Sequence, residues 1–173
     1  MTIDEIITKA LREDIGDGDH TSLSTIPANA LGKARLLVKE EGVLAGVDVA
    51  RKVFSHTDER ILMDQFIEDG TRVKPGDVAF EVSGPSIALL TAERTALNFM
   101  QRMSGIATQT RRMVDAIEGL PTKILDTRKT TCLLREFEKM AVRIGGGVNH
   151  RFGLYDMILI KDNHVDFAGG IAK

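Results

Sequence analysis

Two short apolar runs late in the chain, Lys123-Ile124-Leu125-Asp126-Thr127 and Met157-Ile158-Leu159-Ile160, constrain the fold more than any other feature. Each has the length of a buried strand and runs straight into a charged cluster. Arg128-Lys129-Thr130-Thr131 follows the first, and Lys161-Asp162-Asn163-His164 ends the second. Between them, residues from Leu133 to about Arg143 have helical character, and Gly145-Gly146-Gly147 stops that helix. Apolar strands alternating with helices are the pattern of parallel β/α units. Barrels of this kind carry their chemistry at the C-terminal ends of the strands, so both clusters are predicted to face one barrel mouth.

The earlier part of the chain reads differently. Ile3, Ile6, Ile7, Ala10 and Leu11 recur at helical spacing and predict an amphipathic helix over 3–13. Asp14 to Ser22 is too rich in Gly and Asp to continue it and reads as a structural turn; neither register of its aspartates completes a calcium loop. Lys33–Lys39 and Gly42–Gly46 read as strands, Val47–Phe54 as a helix and Ile61–Glu68 as another strand, followed by a Pro75-Gly76 turn. Residues 86–117 are the longest helical stretch and the natural joint between two domains, with Ser104-Gly105 expected to interrupt the helix.

Composition narrows the function classes. The 173 residues are 43% apolar and 28% charged with a formal net charge of -2, the balance of an ordinary globular protein. No apolar run approaches the roughly 20 residues of a membrane helix. The one cysteine, Cys132, excludes an internal disulfide and fits a reducing compartment; with an acidic N-terminus unlike a signal peptide, it makes the expected location cytoplasmic. Residues 122–173 nonetheless hold 9 Lys+Arg against 6 Asp+Glu, while the preceding residues are net acidic. That basic, Gly-rich segment suits an anion. A nucleic-acid surface fits less well, with one Tyr, no Trp and a pI near 6.1.

Three groups could bind that anion: Thr127-Arg128-Lys129, Asn149-His150-Arg151 and Lys161. Arginine grips carboxylate or phosphate with a planar fork, and lysine adds a point charge. If the groups converge, their mutual repulsion calls for a polyanionic ligand; otherwise they are separate surface residues. The glycine triplet favours close approach of a ligand over a simple helix stop. Lys161 at a strand end also admits a second class, a Schiff-base lysine, which needs a desolvated amine. The histidines lack metal-site spacing. Cys132 follows a basic pair, but a buried structural role is the expected one.

Glu93-Arg94-Thr95-Ala96-Leu97-Asn98, Thr127-Arg128-Lys129-Thr130, Gly145-Gly146-Gly147-Val148-Asn149-His150-Arg151 and Ile160-Lys161-Asp162-Asn163-His164, with Gly18-Asp19-His20-Thr21-Ser22 near the start, resemble quinolinate phosphoribosyltransferases. The resemblance implies an α/β fold: an open-faced α+β sandwich over 1–104, then an incomplete TIM-like α/β barrel beginning at 105–173. It implies transfer of phosphoribose from phosphoribosyl pyrophosphate to quinolinate with decarboxylation, giving nicotinate mononucleotide, pyrophosphate and CO₂ for NAD biosynthesis. Arg128, His150 and Arg151 would hold quinolinate's carboxylates, with Thr127 beside them. Lys129 and Lys161 would sit near the phosphates and the reacting centre as catalytic residues. Arg94 would reach the neighbouring site of a homodimer. Mg²⁺ is implied, with ligands expected beyond Lys173, where a family member continues through further strands. The alternatives are a related phosphoribosyltransferase acting on another ring, or an inactive chain that keeps only dimerisation or anion binding. Cys132-Leu133 stand where the family usually has Pro-Gly.

Overall fold

A computed structural model describes residues 1–172. Its elements are helices α1 (Ile3–Ile15), α2 (His20–Thr25), α3 (Val47–Thr57), α4 (Ser86–Ala116), α5 (Arg135–Ile144) and α6 (Asp162–Ala168), with strands β1 (Leu31–Leu37), β2 (Gly42–Val43), β3 (Leu62–Gln65), β4 (Arg72–Val73) and β5 (Val78–Pro85). Thr2 and Glu5 cap α1 reciprocally, and Asp19 caps α2 through the Ser22 N–H. The predicted turn at 14–22 therefore ends in a helix, because Asp19 supplies the acceptor that a helix start needs.

β1, β5 and β3 form an antiparallel sheet in that order, and β2 pairs with β4. β5 is central and carries the buried Ala79, Phe80 and Val82. α1 and α3 supply Ile6, Ile7, Leu11, Val47, Val49, Ala50, Val53 and Phe54 to the same core. Phe54 meets Phe80 edge-on at 6.3 Å.

α4 is the spine. Its 31 residues make a rod about 46 Å long at 1.5 Å per residue. Leu89, Ala92, Ala96, Phe99, Met100, Met103 and Ala107 recur every three or four residues and are buried, as one packed helix face requires. The first part meets the sheet and α3, and α5 packs against the same helix. The break expected at Ser104-Gly105 does not occur. Ser104 Oγ donates to the Ala45 carbonyl at 3.1 Å and accepts from Ala45 N at 3.0 Å, so this residue ties the helix to the loop before α3.

The two late apolar runs behave differently from expectation. Leu125 forms a parallel bridge to Val148, with Val148 N donating to Ile124 O at 2.8 Å and Asp126 N to Val148 O at 3.2 Å. That is a single bridge rather than a strand. Met157–Ile160 is no strand either. Ile158 is 88% exposed, and among the described residues no ladder partner lies beside it. The glycine triplet serves packing. A Cβ on Gly145 would stand 2.5 Å from the Ala107 carbonyl oxygen, and one on Gly147 2.7 Å from Val142 Cγ1, so these glycines let the chain leave α5 pressed against α4. Cys132 is exposed, not buried.

Candidate active site

α5 frames the candidate site. Arg135-Glu136-Phe137-Glu138-Lys139-Met140-Ala141 consists largely of good helix formers, with acids in the first turn and Arg143 in the last, as the helix dipole favours. Phe137 and Ala141 are buried, and Phe137 stacks on Phe99 of α4 at 4.7 Å. The charged residues between them are buried as well: Glu138 is 9% exposed and Lys139 1%. Burying a charge costs several kcal/mol unless it is paired and hydrogen-bonded, and both have partners.

Lys139 Nζ donates to Asp126 Oδ1 at 2.5 Å and to the His150 carbonyl at 3.0 Å. The same Asp126 oxygen accepts from His150 N at 2.8 Å. With the Asn149 amide turned to suit its neighbours, its nitrogen donates to Lys139 O and Asp126 Oδ2, each at 2.9 Å. Glu138 Oε1 accepts from Arg102 of α4 at 2.9 Å, and its Oε2 accepts from Thr131 N at 3.2 Å. Arg135 donates to Thr130 Oγ1 and to the Phe152 carbonyl, both at 3.1 Å. Three residues within the first turn and a half of one helix, Arg135, Glu138 and Lys139, thus fasten the 126–131 loop, the 149–153 loop and α4 together.

The sequence-predicted residues fall as follows. Thr127 and Lys129 are exposed, with Thr127 Oγ1 accepting from Lys129 N at 3.0 Å. Arg128 is half-buried, and its Nε is buried with no hydrogen-bond partner. His150 and Arg151 are half-buried; Arg151 N donates to His150 Nδ1 at 2.6 Å, which leaves Nε2 as the protonated ring nitrogen of the neutral form. A guanidinium nitrogen of Arg151 donates to the Met157 carbonyl at 3.2 Å. Asp156 accepts from the N–H groups of Phe152 and Gly153 at 2.6 and 2.8 Å, and these bonds hold its carboxyl below the usual range. The Leu125–Val148 bridge therefore brings Arg128-Lys129 and His150-Arg151 to one end of neighbouring segments. Lys161 is exposed at the start of α6, its N–H donating to His164 Nδ1 at 3.1 Å, and no bond among the described residues joins it to the other cations. An exposed amine lacks the desolvation a Schiff-base lysine needs. Arg94 is exposed on α4 and makes no ion pair among the described residues. A cleft of 370 Å³ between α1, α4 and α5, lined by Asp14, Asn98, Arg102 and Glu138 among others, includes none of these cations.

Comparison with known proteins decides the family. The quinolinate phosphoribosyl transferase N-terminal domain matches residues 19–104 and the C-terminal domain of the same family matches 106–173. The chain belongs to the quinolinate phosphoribosyltransferase family. It is 48% identical over 97% of its length to quinolinate phosphoribosyltransferase (decarboxylating) 1b of Nicotiana tabacum, covering 48% of that protein. It is 45% identical over its whole length to the probable nicotinate-nucleotide pyrophosphorylase (carboxylating) of Bacillus subtilis, covering 60% of it. NadC from Streptococcus pyogenes superposes with a TM-score of 0.94 at 44% identity, over 98% of this chain and 60% of that one. The chain thus spans about half to three-fifths of the length of these relatives. The α/β class read from the late repeat agrees with these structures.

Leu133 is the one non-glycine residue with positive φ among the described residues, at 68°. The backbone there takes the left-handed shape that glycine adopts without strain. Sequence reasoning missed Asp126 and Lys139. No helical periodicity marked Lys139, which lies two residues from both Phe137 and Ala141 and therefore on the other side of α5 from the face they share.

Proposed function

We propose that this protein transfers phosphoribose from phosphoribosyl pyrophosphate to quinolinate and decarboxylates the product, releasing pyrophosphate, CO₂ and nicotinate mononucleotide for NAD biosynthesis. The observation that carries the reading is that the Leu125–Val148 bridge sets Arg128-Lys129 and His150-Arg151 at one end of adjoining segments, while Arg128, Lys129 and Arg151 make no ion pair among the described residues. A hydrogen bond to a charged group contributes about 1.5–3 kcal/mol. One carboxylate on the Arg128 guanidinium and a second on Arg151 would supply such bonds.

On this reading, Arg128, His150 and Arg151 grip the two carboxylates and aim the pyridine nitrogen at the sugar carbon, an orientation effect. Thr127 steadies the turn that presents Lys129. Lys129 and Lys161 stabilise the negative charge that develops on departing pyrophosphate. Once the nitrogen–carbon bond has formed, the ring nitrogen is cationic. The bond from C2 to its carboxylate then breaks, CO₂ leaves, the electron pair stays on C2 next to that nitrogen, and a proton replaces it.

The implied Mg²⁺ is assigned no ligand among the described residues; such an ion commonly keeps water and substrate phosphates as ligands beside one or two carboxylates. Among the described residues no group of three or more His, Cys, Asp or Glu side chains is placed to hold a metal, and Asp126, the acid preceding the cation run, is already engaged by Lys139 and His150. No role assigned above depends on the metal. Arg94, exposed and without an ion pair among the described residues, would be the residue offered to the neighbouring site of a homodimer. The division into a sandwich domain at 1–104 and a barrel segment at 105–173 would fall inside unbroken α4. The exposed thiol of Cys132 suits a reducing, cytoplasmic compartment, and no described helix is long and apolar enough to cross a membrane.

The test is calorimetric binding of quinolinate against nicotinate, together with nicotinate mononucleotide formation from quinolinate and phosphoribosyl pyrophosphate. Quinolinate should be preferred, since a one-carboxylate ligand leaves a buried cation unpaired. Equal affinity for the two acids, or Arg128→Ala matching wild type in binding and turnover, would overturn the reading.

A further inference from the structure

Lys139 heads the largest fully buried side chains, and the chemistry proposed above does not use it. We infer that Asp126 and Lys139 are positioning residues of the dicarboxylate site, holding the His150-Arg151 pair at a fixed place relative to Arg128-Lys129. The inference rests on the quinolinate reading of that site and adds two residues to it.

The geometry is specific to His150. Asp126 Oδ1 accepts its N–H, and Lys139 Nζ donates to its carbonyl, while the two side chains meet each other. One ion pair therefore grips both main-chain polar groups of a single residue. Asn149, the neighbour before it, is tied to the same two residues. Asp126 also adjoins the Leu125–Val148 bridge and lies two residues before Arg128, so the pair fixes the gap between the two cation-bearing segments. Both carboxyl and ammonium are nearly inaccessible, with side chains 5% and 2% exposed.

Holding a fold together does not require such a pair. Apolar residues of similar volume are commonly as stable or more so. What apolar residues cannot do is hold an N–H and a carbonyl of one residue from opposite sides. Sites that must present charged groups to a rigid ligand depend on this kind of supporting bond, because small misplacements of the gripping groups cost large factors.

The test compares wild type with the double variant Asp126→Leu/Lys139→Met, which strands no buried charge; if that variant does not fold, Asp126→Asn is measured in its place. Thermal unfolding should show a cooperative transition in the variant. Calorimetry should show quinolinate affinity reduced at least tenfold, with nicotinate affinity changed less. A ligand-free readout is the ¹⁵N spectrum of the His150 imidazole with exchange of the Arg151 amide. Wild type should show one neutral tautomer with Nδ1 unprotonated; the variant should show an averaged ring and at least tenfold faster exchange. A folded variant with the wild-type His150 spectrum, wild-type Arg151 protection and unchanged quinolinate affinity would overturn the inference. Should wild type itself bind no quinolinate, the function fails, while the His150 and Arg151 signals still decide whether the pair positions them.

Discussion

Leu133→Gly should give a more stable protein than Leu133→Ala. At almost every other exposed position the order is the reverse. Leu133 holds φ at 68° while 70% of its side chain is in solvent, so the residue is there at a backbone cost with little packing in return. The left-handed region costs an L-residue about 1–2 kcal/mol, which glycine avoids. Glycine gives back about 0.5–1 kcal/mol through the greater freedom of the unfolded chain. Both variants lose the same leucine contacts, so their difference isolates the backbone. The balance favours glycine by about 0.5–1 kcal/mol, or about 1–4 °C in Tm for a protein of this size. Arg112, exposed within α4, supplies the control, where alanine should exceed glycine by about 1 kcal/mol. Urea titration and thermal unfolding of the four variants read both differences. Alanine equal to or better than glycine at 133 would refute the claim that this backbone is strained.

Three further outcomes follow from the geometry. Arg128→Ala should weaken quinolinate binding by about ten- to a hundredfold, the worth of a charge-assisted hydrogen bond of about 1.5–3 kcal/mol, with thermal stability little changed; calorimetry beside a melting curve checks both. Gly145→Ala should destabilise the protein by about 1–3 kcal/mol, because the added carbon would meet the Ala107 carbonyl at 2.5 Å and Thr110 Cβ at 2.7 Å; denaturant unfolding measures it. Asp156 is held below its ordinary range by the Phe152 and Gly153 N–H groups, so its contribution is present in full above the ordinary carboxylate pKa and is lost as pH falls through the depressed value. Amide protection at Phe152 and Gly153, taken relative to the intrinsic exchange rate at each pH, should therefore fall only below the ordinary carboxylate range, and Asp156→Ala should lack that protection at neutral pH.

The sequence carried the helices well because each announces itself by one buried face: Ile6, Ile7 and Leu11 in α1, and the Leu89-to-Ala107 series in α4. Ser104-Gly105 misled because a helix tolerates Ser and Gly where the hydroxyl has a partner outside the helix, and Ala45 is 59 residues away in sequence. The apolar runs at 124–125 and 157–160 have the composition of strands, but a strand also needs a neighbouring backbone, and apolarity does not supply one; Ile158 and Ile160 stay exposed. Local sequence located the cation clusters, since Arg, Lys and His are visible as residues. It did not locate what holds them. Asp126 lies 13 residues from Lys139 and 24 from His150, and nothing in the spacing marks that the three meet.

The distribution of negative charge explains why the cations remain available. A surface with this many basic residues ordinarily neutralises them with neighbouring carboxylates. Here Asp126 is taken by the buried Lys139 and Glu138 by the half-exposed Arg102, both pairs on the α5 frame. Asp156 is occupied by the N–H groups of its own loop. Arg128, Lys129 and Arg151 consequently make no ion pair among the described residues, although acids lie close to them in sequence. Without an anion, cations at the ends of adjoining segments repel, and the repulsion grows as water is excluded. A bound dianion reverses its sign. On the proposed reading the frame would do two things with the same carboxylates: fix the loops in place, and keep those carboxylates from competing with a dianionic substrate for the cations that the loops present.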